Sequence, residues 1–273
     1  MKSNRIRLLA GPYLAWAIAF IIIPLVMVFY YGLTDKNGMF TFDNVLAIAR
    51  PEHIKSLWIA LLLALISTII CILIAYPLAM ILVNMKGNSD KFIVLIFILP
   101  MWMNFLLRTM AWQTLLENDG VINSILKFMH LPTLTLINTP YAIIFGMIYN
   151  FLPFMVLPLY NVLKKIDPNV INAARDLGAN SVQTFLHIIL PLSVPGIISG
   201  ITMVFVPSLT TFVVSDLLGG SKILLIGNVI EQEFTSNSNW HLGSGLSIVL
   251  MIFIVISMIV TAIFDKDGEG NAL

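Results

Sequence analysis

The sequence predicts an all-α membrane protein with six transmembrane helices. Two compositional facts and one pattern lead there. Of its 273 residues, 59% are hydrophobic and 11% are charged. A soluble domain carries about 25% charged residues and has no means of hiding this much apolar surface. The apolar residues form six runs, roughly 9–33, 57–84, 92–115, 141–163, 192–215 and 246–264. Each is long enough for a hydrocarbon core of about 30 Å, which needs about 20 residues of helix. The runs are continuously apolar rather than alternating, which speaks against membrane strands.

The first run is too long for a signal peptide, and "YYGLTDKNG" (Tyr30–Gly38) is a poor small-residue cleavage site, so it is expected to persist as a span. The second holds the single cysteine, Cys71, which excludes an internal disulfide and a multi-cysteine metal site. The third contains Arg108, seventeen residues beyond Lys91. At 1.5 Å per residue that is about 25 Å of helix. Arg108 is therefore expected near the outer interface, where arginine snorkels to water or holds a neighbouring acid. The fourth run carries Tyr149 and Asn150 near its middle. In the fifth, Pro207 stands beside Ser208, Thr210 and Thr211, a proline bend among hydroxyls that suits a helix opening onto a polar path. Prolines fall in five of the runs (Pro24, Pro77, Pro100, Pro153, Pro158, Pro195, Pro207) and are absent from the sixth. Each frees a carbonyl that needs a partner or a wet cavity in lipid.

Lysine and arginine set the orientation. One side would hold nine: Lys2, Arg5, Arg7, Lys86, Lys91, Lys164, Lys165, Arg175 and Lys266. The other would hold five: Lys36, Arg50, Lys55, Lys127 and Lys222. Both termini are expected in the cytoplasm, in a multi-pass protein of the cell membrane. A net charge of +1 argues against a nucleic-acid partner. With no repeat and no low-complexity linker, residues 1–273 read as one domain.

Between the fourth and fifth runs lies "NAARDLGANSVQTFLHIILP" (Asn172–Pro191), on the expected cytoplasmic side. Asp167 is a good N-cap and Pro168 fits the first helical position. Gly178 supplies the left-handed residue that stops a helix. Asn180 starts a second helix, with Gln183 placed for a capping box. Ile171, Ala173, Ala174 and Leu177 form a small apolar face. Two readings fit: a knob for another protein's socket, or a helix lying on the membrane, for which the face lacks an aromatic residue before Phe185.

The stretch resembles the "EAA" loop of ABC importer permeases: E-A-A, three residues, Gly, nine residues, then I-x-L-P. Here it reads Asn172-Ala173-Ala174, Gly178, and Ile188-Ile189-Leu190-Pro191. Asn172 departs from the pattern by replacing the glutamate, which removes a charge from the docking surface. "FLLRTMAWQTLL" (Phe105–Leu116) and "VVSDLLGGSKILLIGNVIEQEF" (Val213–Phe234) are similar to the polyamine branch of that family. The resemblance implies the type I importer fold of six helices with a cytoplasmic coupling helix in the loop 167–191. It implies that Asn172, Ala173, Ala174, Asp176, Gly178, Leu190 and Pro191 couple to an ATPase. It also implies a second permease subunit, an ATPase homodimer that uses ATP and magnesium, and an extracytoplasmic polyamine-binding protein. No cofactor is expected on this chain.

The motifs agree with a subunit that borrows its energy. "GGSK" (Gly219–Lys222) lacks the P-loop spacing, no H-E-x-x-H occurs, and His53, His130, His187 and His241 are scattered. For a polycationic cargo the natural partners are carboxylates at intervals with aromatic faces between them. Asp216 at the end of the fifth run, Glu231 and Glu233 in the loop after it, and Glu117 and Asp119 after the third are the acids so placed. Tyr149, Asn150, Ser208, Thr211 and Arg108 complete the path candidates. Two other readings stand beside this one: the same architecture importing another solute (thiamine, iron or an amino-acid derivative), and an intramembrane enzyme or sensor.

Overall fold

Small residues at helical spacing decide how these helices pack. The structure, a computed structural model, describes residues 11–85, 99–220 and 222–270, with side chains to 263. In order, α1 is Gly11–Gly32, α2 Asp43–Leu46, α3 Pro51–Asn84, α4 Phe105–Leu116, α5 Val121–Phe128 and α6 Pro140–Leu163. Then come α7 Pro168–Asp176, α8 Ser181–Thr210, α9 Val213–Gly219, α10 Ile226–Thr235 and α11 Trp240–Gly270. Among the described residues, α1, α3, α6, α8 and α11 are long and apolar enough to cross a membrane. The expected third span lies partly outside the described residues. Its described part is a 3₁₀ turn, Leu99–Trp102, followed by α4.

The chain forms two compact units. The first comprises residues up to Lys55 with Val229–Phe253, the second Ser56–Asn228 with residues from Ile254 onward. In the first unit Ala47, Leu242 and Leu246 form a small core with Ile48, Val229 and Ile230 around it. A Cβ on Gly245 would meet the Asn44 backbone at 2.5 Å, so α11 approaches that segment at a distance only glycine permits. Asp35 closes the turn after α1 by accepting from the Met39 N–H (2.8 Å) and the Asn37 N–H (2.9 Å). These bonds, that of Met39 first, hold its carboxyl below the ordinary range.

In the second unit α3 is inverted relative to a soluble helix. Ala60, Ala64, Ser67, Cys71, Ala75 and Ala79 are buried at helical spacing, while Leu62, Leu65, Ile69, Leu73 and Ile81 are exposed. Without a hydrophobic drive between helices in lipid, close backbone approach of small residues does the packing. The same logic joins α6 to α8. A Cβ on Gly196 would meet Val162 at 3.0 Å, and one on Gly200 would meet Met155 at 2.4 Å. Buried polar pairs add specificity: Tyr76 and Ser193 share a 2.7 Å hydrogen bond, and Thr202 donates to Thr261 at 3.2 Å.

Prolines inside the spans do not stop them. Pro77, Pro153, Pro158, Pro195 and Pro207 all lie within continuous helices. At two sites the turn before the proline widens into a π turn, Ile18–Ile22 before Pro24 and Phe185–Ile189 before Pro191. In each the residue preceding the proline bonds five back: Ile23 N–H to the Ile18 carbonyl, and Leu190 N–H to the Phe185 carbonyl. The proline has no N–H for the carbonyl four residues behind it, and the wider turn makes room for its ring.

Candidate functional site

The loop after α6 is built as its caps specify. The Asp167 side chain accepts from the Asn169 N–H at 2.9 Å with Pro168 at N1. α7 ends at Leu177, and Gly178 has φ +86. The Gly178 N–H reaches the Arg175 carbonyl (2.9 Å) and the Ala179 N–H reaches the Ala174 carbonyl (3.0 Å), the paired bonds of a Schellman stop. Asn180 and Gln183 exchange side-chain and backbone hydrogen bonds, both 2.9 Å, in a complete capping box.

The second helix runs on into the fifth span, Ser181–Thr210 forming one continuous helix with the π turn Phe185–Ile189 inside it. The expected apolar face, by contrast, is divided. Ala174 is buried within the chain at 8% exposure, whereas Val170, Ala173 and Leu177 (89% exposed) face outward with Asn172 and Asp176. Of the residues expected to couple, Ala174 therefore anchors α7 to its own chain, and its neighbours present the outer surface. Pro191 is exposed and Leu190 half-buried, immediately after the π turn.

The second element is the interruption before α4. Asn104 is non-helical (φ −56, ψ 127) and caps α4 by accepting from the Leu106 and Leu107 N–H groups. The break aims Arg108 inward, at 7% exposure. Its Nε donates to Asn150 Oδ1 (2.9 Å) and its Nη1 to the Pro100 carbonyl (2.6 Å). The guanidinium lies 5.6 Å from the Tyr149 ring centre and 5.9 Å from that of Phe105. Asn150 also donates to the Gly146 carbonyl (2.9 Å) and is buried. The snorkelling arginine expected from the sequence is thus corrected to an interior staple, and Asn150 is its partner rather than a free lining residue. Tyr149 remains half-buried, with Trp112 packed edge-on at 5.1 Å. The structure brings Arg108, Tyr149 and Asn150 together.

The third element is a break in the expected fifth span. The helix ends at Thr210, short of 215, and resumes at Val213 as α9. Thr211 is extended (ψ 133), its N–H bonded to the Pro207 carbonyl at 3.0 Å. Asn228, on α10, holds the gap. It donates to the Phe212 carbonyl (3.1 Å) and to Asp216 Oδ1 (2.8 Å), and accepts from the Leu225 N–H (3.1 Å) and from the Ser215 hydroxyl. Gly227 fits beneath, since a Cβ there would meet the Thr210 carbonyl at 2.8 Å. Asp216 is therefore half-buried in the first turn of a separate helix. Ser208 is corrected from path to interior. It is fully buried, its Oγ finds no partner among the described residues, and it continues the face of Gly196 and Gly200 that packs on α6. Thr211 is half-buried at the break itself.

Glu231 and Glu233, expected in a loop, lie on α10. Glu231 accepts from the Thr235 hydroxyl (3.0 Å) and Glu233 from Asn237 Nδ2 (2.9 Å). Glu233 also lines a cavity of about 730 Å³ within the first unit, with Lys36, Tyr31, Trp240 and His241. Glu117 caps the C-terminus of α4, and Asp119 pairs with Lys127 at 3.1 Å. Asn228, which holds the break together, is the residue of this arrangement that sequence reasoning missed. Its only signal is that it stands as a lone amide in the apolar run "ILLIGNVI".

This arrangement, broken apolar helices and a capped loop on one end, has known counterparts. A family profile described as "Binding-protein-dependent transport system inner membrane component" matches residues 72–267. The chain belongs to that family. The spermidine/putrescine transport system permease protein PotB of Haemophilus influenzae is 37% identical over 254 residues, covering 90% of this chain and 89% of the relative. PotB of Escherichia coli is 36% identical over 253 residues, covering 90% and 92%. A solved bacterial alginate ABC transporter, in complex with its alginate pentasaccharide-bound periplasmic protein, contains a chain that matches with TM-score 0.79 at 16% identity. The match covers 95% of this chain and 93% of that one. The fold is that of ABC importer permeases, as expected. The chain is a transport component rather than an enzyme, and ATP hydrolysis belongs to a separate subunit.

Proposed function

We propose that this chain is one permease subunit of an ATP-driven importer for the polyamines spermidine and putrescine. The observation that carries the reading is the identity of 36–37% to two PotB permeases across nine tenths of the chain. The complete capping geometry of the loop 167–191 supports it. The chain sits in the cell membrane with both termini in the cytoplasm. Its partners are a second permease of the PotC type, an ATPase homodimer of the PotA type that uses ATP and magnesium, and an extracytoplasmic binding protein of the PotD type. The chain itself holds no cofactor.

The loop docks on the ATPase through Asn172, Ala173, Asp176 and the exposed Leu177, with Ala174, Gly178, Leu190 and Pro191 fixing its shape. α8 carries the movement. Its 30 residues span about 45 Å at 1.5 Å per residue, from the capping box at Asn180 to the break at Thr211. A shift of the docked loop passes along this helix, through the π turn Phe185–Ile189 and past Pro191, Pro195 and Pro207, to Thr211. In the second unit Asp216 and Tyr149 offer a carboxylate and an aromatic face to the ammonium groups of the cargo, and in the first unit Glu231 and Glu233 offer carboxylates. Arg108 and Asn150 position Tyr149.

The test is uptake of labelled spermidine and putrescine by the importer reconstituted in vesicles. ATP-dependent uptake of either, competed by the other, supports the proposal. ATP-dependent uptake of thiamine, chelated iron or an amino-acid derivative without polyamine uptake would refute the cargo and keep the architecture.

A further inference from the structure

Between α4 and α6 the chain folds into a hairpin that is inside out by the standards of a watery loop. α5 runs Val121–Phe128, His130 turns the chain with φ 59, and Leu131 N–H bonds back to the Leu126 carbonyl at 2.9 Å. One polar side chain points inward, while Ser124, Lys127 and His130 are exposed and Ile122 and Leu126 are half-buried. Asn123, 1% exposed, donates to the Leu134 carbonyl (2.9 Å) and accepts from the Leu134 N–H (2.9 Å), which clamps the returning strand against α5. The other apolar side chains point outward: Val121, Ile125, Phe128, Met129, Leu131 and Leu134 are all exposed, Phe128 at 85%.

We propose that this hairpin lies in the lipid boundary layer of the membrane, on the face opposite the loop 167–191, with its apolar side among the acyl chains. Three observations select lipid as the occupant. First, the apolar side continues the exposed face of α4. The exposed row Leu107, Met110 and Thr114 of α4 ends in a cavity of about 430 Å³ whose other walls include Val121, Ile125 and Phe128. Second, the hairpin is held at the right depth. α6 begins six residues after Leu134, and its 24 residues span about 36 Å, more than a hydrocarbon core of about 30 Å. Its first turn, with Tyr141 exposed, therefore falls in the headgroup layer where tyrosine concentrates. Third, the charges lie at the rim. Lys127 in the last turn of α5 is paired with Asp119, with both side chains open to water and headgroups. The hairpin thereby fixes the outer end of α4, and with it Arg108, against the bilayer.

The test uses the assembled importer in phosphatidylethanolamine/phosphatidylglycerol vesicles. Cys71→Ala is the background, and an environment-sensitive fluorophore is placed on Ile125→Cys, on Phe128→Cys and, as a water-exposed comparison, on Asn118→Cys. Doxyl-labelled lipid should quench positions 125 and 128 several-fold more than 118, and aqueous iodide should do the reverse, with or without added binding protein. Iodide quenching at 125 and 128 equal to that at 118 would overturn the proposal. Protection from both quenchers would overturn it too, by placing the stripe against a protein partner. If labelling disturbs assembly, the added quenching by brominated lipid in Phe128→Trp and in Asn118→Trp, each read as a difference from the parent with its five tryptophans, makes the same distinction.

Discussion

Gly178 and Arg108 show what single residues do here. A Cβ on Gly178 would meet nothing within 4 Å, so only its φ of +86 constrains it. Gly178→Val, whose branched side chain does not adopt the left-handed region, should cost about 1 kcal/mol or more in the loop. Substrate-stimulated ATP hydrolysis by the importer should collapse while the chain still inserts. Gly178→Asn, which tolerates the left-handed region, should retain much more stimulation; equal loss in both would point to a contact rather than a conformation. Arg108 directs two N–H groups along different vectors, to Asn150 and to the Pro100 carbonyl, and a lysine point charge does not match that fork. Hydrogen bonds to a charged group are worth about 1.5–3 kcal/mol each. Arg108→Lys should therefore lower the thermal stability of the assembled importer, and proteolysis near Leu99–Trp102 should increase. An unchanged melting profile and protease pattern would remove the staple. Asp216→Asn keeps an oxygen for the Asn228 amide and deletes the charge. Loss of one ammonium–carboxylate contact, about 1.4 kcal/mol or more, should reduce polyamine uptake efficiency about tenfold or more. Stimulated ATPase should survive, and unchanged uptake would return Asp216 to a structural role.

At the level of elements, legibility follows the range of the interaction. The caps of α7 and the start of α8 were readable because Asp167, Pro168, Gly178, Asn180 and Gln183 act within three residues of themselves. The break at Thr211 was not. "TTFVV" (Thr210–Val214) carries no charge, glycine or proline, so nothing in it marks a break, while the residue that holds the gap, Asn228, lies on another helix. Arg108 was misplaced for a related reason. Counting 1.5 Å per residue from Lys91 assumes one straight helix, and the non-helical Asn104 with its preceding 3₁₀ turn invalidates the count. Glu231 and Glu233 were placed in a loop because their polarity masked α10, whose buried side is Ile226, Gly227 and Asn228. The π turns before Pro24 and Pro191 were not legible either, since proline specifies a lost donor and not how the helix absorbs it.

For the whole molecule, the question is why a cation importer needs ATP. A trivalent cation entering a negative-inside cell gains about 7 kcal/mol per 100 mV, at about 2.3 kcal/mol per charge. A pore open to both sides would collect that energy and leak other cations as well. The docking proposed for the loop 167–191 and the helix joined to it argue for a path opened to the outside only when the ATPase closes. The measurement that tests this most directly is thiol labelling of Thr211→Cys in a Cys71→Ala background, in the assembled importer, by a membrane-impermeant reagent from outside. Ser208→Cys serves as the interior comparison, because Ser208 packs inside the chain. The account predicts faster labelling at 211 when nucleotide is trapped in the closed ATPase than at rest, with 208 slow in both states. Equal labelling at 211 in the two states would contradict it, even with polyamine uptake confirmed.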